Sequence, residues 1–79
     1  MRRVAVNSGT IASIGYDARR RELEIEFRDT GDVYRYFAVS PEEHASLMAA
    51  ESKGTYLNQV FKPKGHRYFV AKTSHRTAF

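Results

Sequence analysis

The sequence predicts an α+β domain: an antiparallel meander of three strands, then two short helices and a final short strand that rejoins the sheet. Three observations carry this. ELEIEFR, residues 22–28, alternates apolar and charged side chains without a break, the pattern of a half-buried strand. DTGD then turns the chain into a second β-rich run, VYRYFAV. SPEE follows as a helix start, and a second apolar stripe at helical spacing comes after it.

Element by element, residues 1–8 are expected to be a loose end, although VAV can pair at a sheet edge. TIASIGYD gives a first strand from Thr10 to Tyr16, with Ile11 and Ser13 on one face and Ile14 and Tyr16 on the other. In the second strand Leu23, Ile25 and Phe27 face one way, and Glu22, Glu24, Glu26 and Arg28 the other. A two-residue turn at Thr30-Gly31 would force β-branched Thr30 to positive φ. A three-residue loop, Asp29-Thr30-Gly31, places only Gly31 in the left-handed region. That loop pairs Phe27 with Val33, Ile25 with Arg35 and Leu23 with Phe37, and sets Tyr34 and Tyr36 beside Glu26 and Glu24. Ser40 caps the first helix with Pro41 at its first position and Glu43 closing a capping box; the helix runs to about Glu51. TYLNQVF forms the second, ended by Pro63. RYFVA, from Arg67 to Ala71, is the last strand, and residues 72–79 are a second loose end. The expected core is Ile14, Leu23, Ile25, Phe27, Val33, Phe37, Leu47, Met48, Leu57, Val60 and Phe61.

Size and composition narrow the function. At 79 residues the chain is one domain with one modest core. It has no cysteine, hence no disulfide framework and no thiolate zinc site. No stretch reads as a signal peptide or a membrane span, so a cytoplasmic protein is expected. Residues 1–51 carry seven Lys/Arg against nine Asp/Glu; from Ser52 onward there are six basic residues and no acid. A basic half of this kind suits an anionic partner such as nucleic acid, or serves as solubilising surface.

Several stretches together resemble the KTSC domain family: SGTIASIGYD, LEIEF, Gly31, Tyr34-Arg35-Tyr36, Val39-Ser40-Pro41, and AESKGTYLN from Ala50 to Asn58. The family is found at the C-terminus of some lysyl-tRNA synthetases and alone in small bacterial and phage proteins. The resemblance implies a domain of uncharacterised function, with RNA binding as a conjecture from the synthetase attachment.

Three groups are candidate sites. Tyr34 and Tyr36 can each stack a base, or pack under the second helix or the N-terminal strand with their hydroxyls on partners. Neighbouring Glu24 and Glu26 favour packing, because carboxylates repel a phosphate chain. Ser52, Lys53 and Gly54 can form a small anion site at a helix start, with Asn58 one turn later, or simply shape the link between two helices. Arg19, Arg20 and Arg21, with Lys62, Lys64 and Arg67, can grip phosphate without reading sequence, or be solvated surface. His44, His66 and His75 have no metal-ligand spacing and no evident catalytic partner. The chain is thus expected to be non-catalytic, without metal or cofactor. Its two candidate roles are RNA or other nucleic-acid binding, and interaction with a protein partner or with itself; no membrane is involved.

Overall fold

Ile11 and Ile14 lie three residues apart, a spacing that puts side chains on opposite faces of a regular strand. In the computed structural model, which describes residues 1–72, both are buried in one core. A β-bulge makes this possible. Strand β2 (Ile11–Asp17) pairs with β3 (Glu22–Phe27) as Ile11 opposite Phe27, then Ser13 opposite Glu26 and Ile14 opposite Ile25. The register slips at Ala12, and the extra residue turns the strand over by one position. The expected grouping of Ile11 with Ser13 is therefore wrong. Ile11, Ile14 and Tyr16 line the core, and Ser13 joins the glutamate face.

The sheet has five antiparallel strands in the order β1-β2-β3-β4-β5, with β1 at Arg3–Ala5, β4 at Val33–Tyr36 and β5 at Tyr68–Lys72. The expected meander is its centre, and the last strand rejoins it beside β4. Arg3–Ala5, expected to be loose unless VAV paired at an edge, does pair with β2, setting Arg3 opposite Gly15. A Cβ at Gly15 would lie 2.8 Å from both the Arg2 carbonyl oxygen and Arg3 Cγ, so that crossing needs glycine. Of the expected second loose end, Lys72 closes β5 and residues 73–79, with Arg76 and His75, lie outside the described residues.

The β3–β4 register differs from expectation by one residue. Gly31 does take a left-handed φ of 76°, but the loop has four residues, 28–31. The Phe27 N–H donates to the Asp32 carbonyl (2.9 Å) and the Gly31 N–H to the Phe27 carbonyl (2.7 Å). Leu23 now faces Tyr36, Ile25 faces Tyr34, and Glu24 faces Arg35. The reason is physical: a one-residue slip exchanges the two faces. The expected register would have set Arg35 against Ile25, whereas this one pairs arginine with glutamate and turns both tyrosines to the apolar side. Moving Arg28 out of the ladder also frees its guanidinium to donate to the carbonyls of Ser8 (2.8 Å), Val6 (3.1 Å) and Ile11 (3.2 Å).

Helix α1 (Pro41–Ala49) begins with the expected capping box. The Glu43 N–H donates to Ser40 Oγ at 3.1 Å, and the Ser40 N–H to Glu43 Oε1 at 2.8 Å. It stops two residues short of Glu51. Helix α2 (Lys53–Tyr56), capped by Ser52, continues through a π turn, Leu57–Phe61, and a 3₁₀ turn, Lys62–Lys64, to Gly65 at φ 77°. Pro63 accounts for the widening: it has no N–H, and its ring would strike the carbonyl four residues back in a regular helix. Leu57 and Phe61 are buried, but Val60 is 43% exposed, contrary to expectation. Phe37 is not core either; it stacks on Phe69 at 5.6 Å. Phe27 and Met48 are half-buried against the core, and Val33 is buried. The core instead recruits Ile11, Tyr36 and Val39. Among the described residues no helix is long and apolar enough to cross a membrane.

Candidate nucleic-acid interface

The corrected register decides what the central tyrosines do. Tyr36 is only 4% exposed and packs edge-on against Phe61 (centroids 5.0 Å). Tyr34 is half-buried and packs edge-on against Phe27 (5.2 Å). Strand β5 adds a third ring, because Tyr68 pairs with Tyr36 across the ladder. Tyr68 stacks on Tyr34 at 5.3 Å and 15°, lies tilted 5.4 Å from Tyr36, and is 55% exposed. These rings wall a cavity of about 330 Å³, completed by Phe61, Lys62, Gly65 and His66. Burial holds the Tyr36 hydroxyl protonated, its pKa pushed up to about 12, with Tyr34 and Tyr68 adding to the shift. That hydroxyl makes no hydrogen bond with any described residue. Tyr36 itself is one of the residues lining the cavity, although only 4% of it is exposed.

The floor of the cavity is braced from α1. His66 stacks on Phe61 at 4.8 Å. Its Nδ1 lies 3.0 Å from the Phe37 carbonyl oxygen and its Nε2 2.7 Å from Glu43 Oε2. Lys64 Nζ is 3.4 Å from the same carboxylate. Burial opposes ionisation of Glu43, but the Ser40 backbone N–H, His66 and Lys64 outweigh it and hold the carboxyl at about 2. One side chain thus caps α1 and fixes the turn that carries Lys62 to His66.

The glutamates that argued against this face lie on the other side of the sheet. Glu24 accepts from Arg3 Nη1 (3.0 Å) and Arg35 Nε (2.9 Å), with a second contact from Arg35 Nη2. Burial raises its carboxyl, but the bonds and charges of Arg35 and Arg3 more than compensate, holding it below the usual range. Glu26 accepts from Ser13 Oγ at 2.7 Å. The objection to a phosphate chain at Tyr34 and Tyr36 therefore does not apply.

The other sequence candidates are dispersed. Ser52 Oγ accepts from the Thr55 N–H (3.3 Å) and donates to Thr55 Oγ1 (2.8 Å), while Lys53 Nζ turns back to the Ala50 carbonyl (3.2 Å). The space beside Gly54 is taken by Thr10; a Cβ there would sit 2.7 Å from Thr10 Oγ1. This glycine serves close packing rather than a phosphate's approach. With Asn58 these residues line a separate polar cleft of about 370 Å³ that also contains Glu51. The Arg19 and Arg20 backbone N–H groups donate to Asp17 Oδ1, and both side chains border a hollow at the β2–β3 turn, where Arg21 has a φ of 56°. Arg67 is exposed beside Tyr68. Only Lys62 of the expected cations lines the aromatic cavity. Tyr68 and His66 were missed by the sequence reading, although alternation in RYFVA puts Tyr68 and Phe69 on opposite faces. No group of three or more potential metal ligands occurs among the described residues.

Comparison with known proteins agrees with this fold. A crystal structure of a KTSC domain protein from Yersinia pestis superposes with a TM-score of 0.83 at 38% identity, covering 90% of this chain and 97% of that one. An uncharacterised protein of Stutzerimonas stutzeri is 48% identical over 69 residues, 87% of this chain and 96% of the relative. A lysine–tRNA ligase of Nostoc punctiforme is 41% identical over 54 residues, which are 68% of this chain but 9% of the ligase. Residues 7–68 match the KTSC domain, and the chain belongs to that family.

Proposed function

We propose that the chain is a small non-catalytic module that binds single-stranded RNA through the Tyr34–Tyr36–Tyr68 face. The observation that carries this reading is the half-exposed Tyr68 ring beside Lys62, with no carboxylate among the side chains lining the cavity. Bases stack on exposed rings whatever their sequence, and a lysine beside them serves the phosphate. A duplex keeps its bases stacked on one another, so the strand must be single. The lysine–tRNA ligase among the relatives is named for a tRNA substrate, which is consistent with RNA as the ligand. The test is a titration of labelled single-stranded and duplex RNA at low salt. The single strand should bind at least tenfold tighter, and Tyr68→Ala should remove that preference. Absence of any binding by the wild type defeats the reading.

A second reading has an observation of its own. Among the described residues β5 is the last strand of the sheet, and Tyr68, Phe69 and Val70 on it are each more than two-fifths exposed. An open strand edge of this kind can pair with another copy. Sedimentation equilibrium distinguishes this reading: a homodimer gives twice the monomer mass and responds little to salt.

A further inference from the structure

We infer that the aromatic cavity takes one nucleotide unit at a time: a single unpaired base on Tyr68 and Tyr34, hydrogen-bonded to the Tyr36 hydroxyl, with its phosphate on Lys62. The inference rests on the RNA reading above and narrows it. Four observations converge on one unit. Tyr36 is buried against Phe61 yet lines the cavity, so it has no open face for a base, and its hydroxyl is the one polar group its side chain has to offer. Tyr34 and Tyr68 are stacked on each other 5.3 Å apart, too close to admit a base between them, so a base can lie only on an outer face of the pair. The cavity, at about 330 Å³, is at the small end of the roughly 300–1,000 Å³ of small-molecule sites. Beyond Lys62 the adjoining hollow at the hairpin tip is lined by Asp29. A second phosphate on that side would meet like charge. The same cation argues against a quaternary ammonium ligand, which an aromatic box would otherwise suit.

The chemistry fits a free nucleoside monophosphate or one residue of an RNA strand, and the test separates the two. Three labelled octamers are titrated at 50 mM salt: octaadenylate, an octamer of abasic residues with one adenine, and a fully abasic octamer. The one-base octamer should bind at least tenfold tighter than the abasic one, as stacking of one base requires. It should also bind within about tenfold of octaadenylate, whose excess is then statistical, eight equivalent bases competing for one site. Tyr36→Phe keeps the ring and removes only the hydroxyl. It should weaken the one-base octamer about five- to tenfold and leave the abasic one unchanged. Adenosine monophosphate should displace the one-base octamer; competition at equal concentration assigns a free nucleotide, and a requirement for about a hundredfold excess assigns a residue within a strand. Octaadenylate binding more than about tenfold tighter than the one-base octamer overturns the single-unit site but leaves RNA binding standing. So does a one-base octamer no tighter than the abasic one while octaadenylate binds tightly. If no octamer binds, the RNA reading falls and this inference with it.

Discussion

Two residues only two positions apart, Tyr34 and Tyr36, cannot be assigned a single role, and the cost of removing each ring follows its surroundings. Tyr36 fills the space between β4 and Phe61, so Tyr36→Ala leaves a cavity in a core too small to close over it and should cost about 3 kcal/mol. Tyr68, on the same face but half in water, should cost less than about 1 kcal/mol when truncated. Urea unfolding of the two variants measures the difference. Gly54 makes the same point about small residues. In an ordinary helix Gly→Ala is a gain of about 1 kcal/mol. Here the new methyl would meet Thr10 Oγ1 at 2.7 Å and Thr10 Cβ at 3.0 Å, atoms of a stiff β-branched side chain. Gly54→Ala should therefore destabilise by about 1–2 kcal/mol, and pairing it with Thr10→Ala should recover part of the loss.

At the level of elements, the Ser40–Glu43 box joins α1 to the turn before β5, and this gives stability a pH dependence whose sign is fixed. Glu43 has an ordinary value of 4.5 and sits at about 2 in the fold. A carboxyl depressed by folding contributes its stability in full above about pH 4.5, less as pH falls, and none below about 2. Wild type should exceed Glu43→Gln by on the order of 2 kcal/mol at pH 6, and the gap should close by pH 2 in urea titrations at stepped pH. A gap that stays constant removes the role of the charge. The box was legible in Ser40-Pro41-Glu42-Glu43 because capping is local chemistry. So were the alternation of β3 and the left-handed Gly31. The hairpin register was not, since it depends on contacts made elsewhere: Arg28 collecting three carbonyls of the β1–β2 segment, and Arg35 meeting a Glu24 already held by Arg3. The bulge at Ala12 escaped for a related reason, as only the demand of two isoleucines for one core reveals it. The candidate site was half legible. Tyr34 and Tyr36 stood out, while Tyr68 became their partner only once β5 was placed beside β4.

For the whole molecule the question is where the excess positive charge lies. The sequence counts six basic residues after Ser52 as one group, and six phosphate contacts would drop single-strand affinity by several hundred-fold between 50 and 200 mM salt. The fold divides the four whose side chains lie among the described residues. Lys53 lines the polar cleft beside Glu51, whereas Lys62 lines the aromatic cavity, with Lys64 and exposed Arg67 on the chain that leads from it into β5. Lys64 is already held by Glu43, so one contact at Lys62 predicts a fall of only about threefold over the same range, from a slope of about 0.7 per phosphate. The division also yields a matched pair of variants. Lys62→Glu and Lys53→Glu change net charge equally, so any effect of overall charge on RNA affinity must be the same in both. A local contact must not. Lys62→Glu should weaken single-stranded RNA at least tenfold and flatten the salt dependence, while Lys53→Glu should stay within about threefold of wild type. Equal losses in the two would mean that the protein attracts RNA through its general field, and would remove the aromatic face from the binding site.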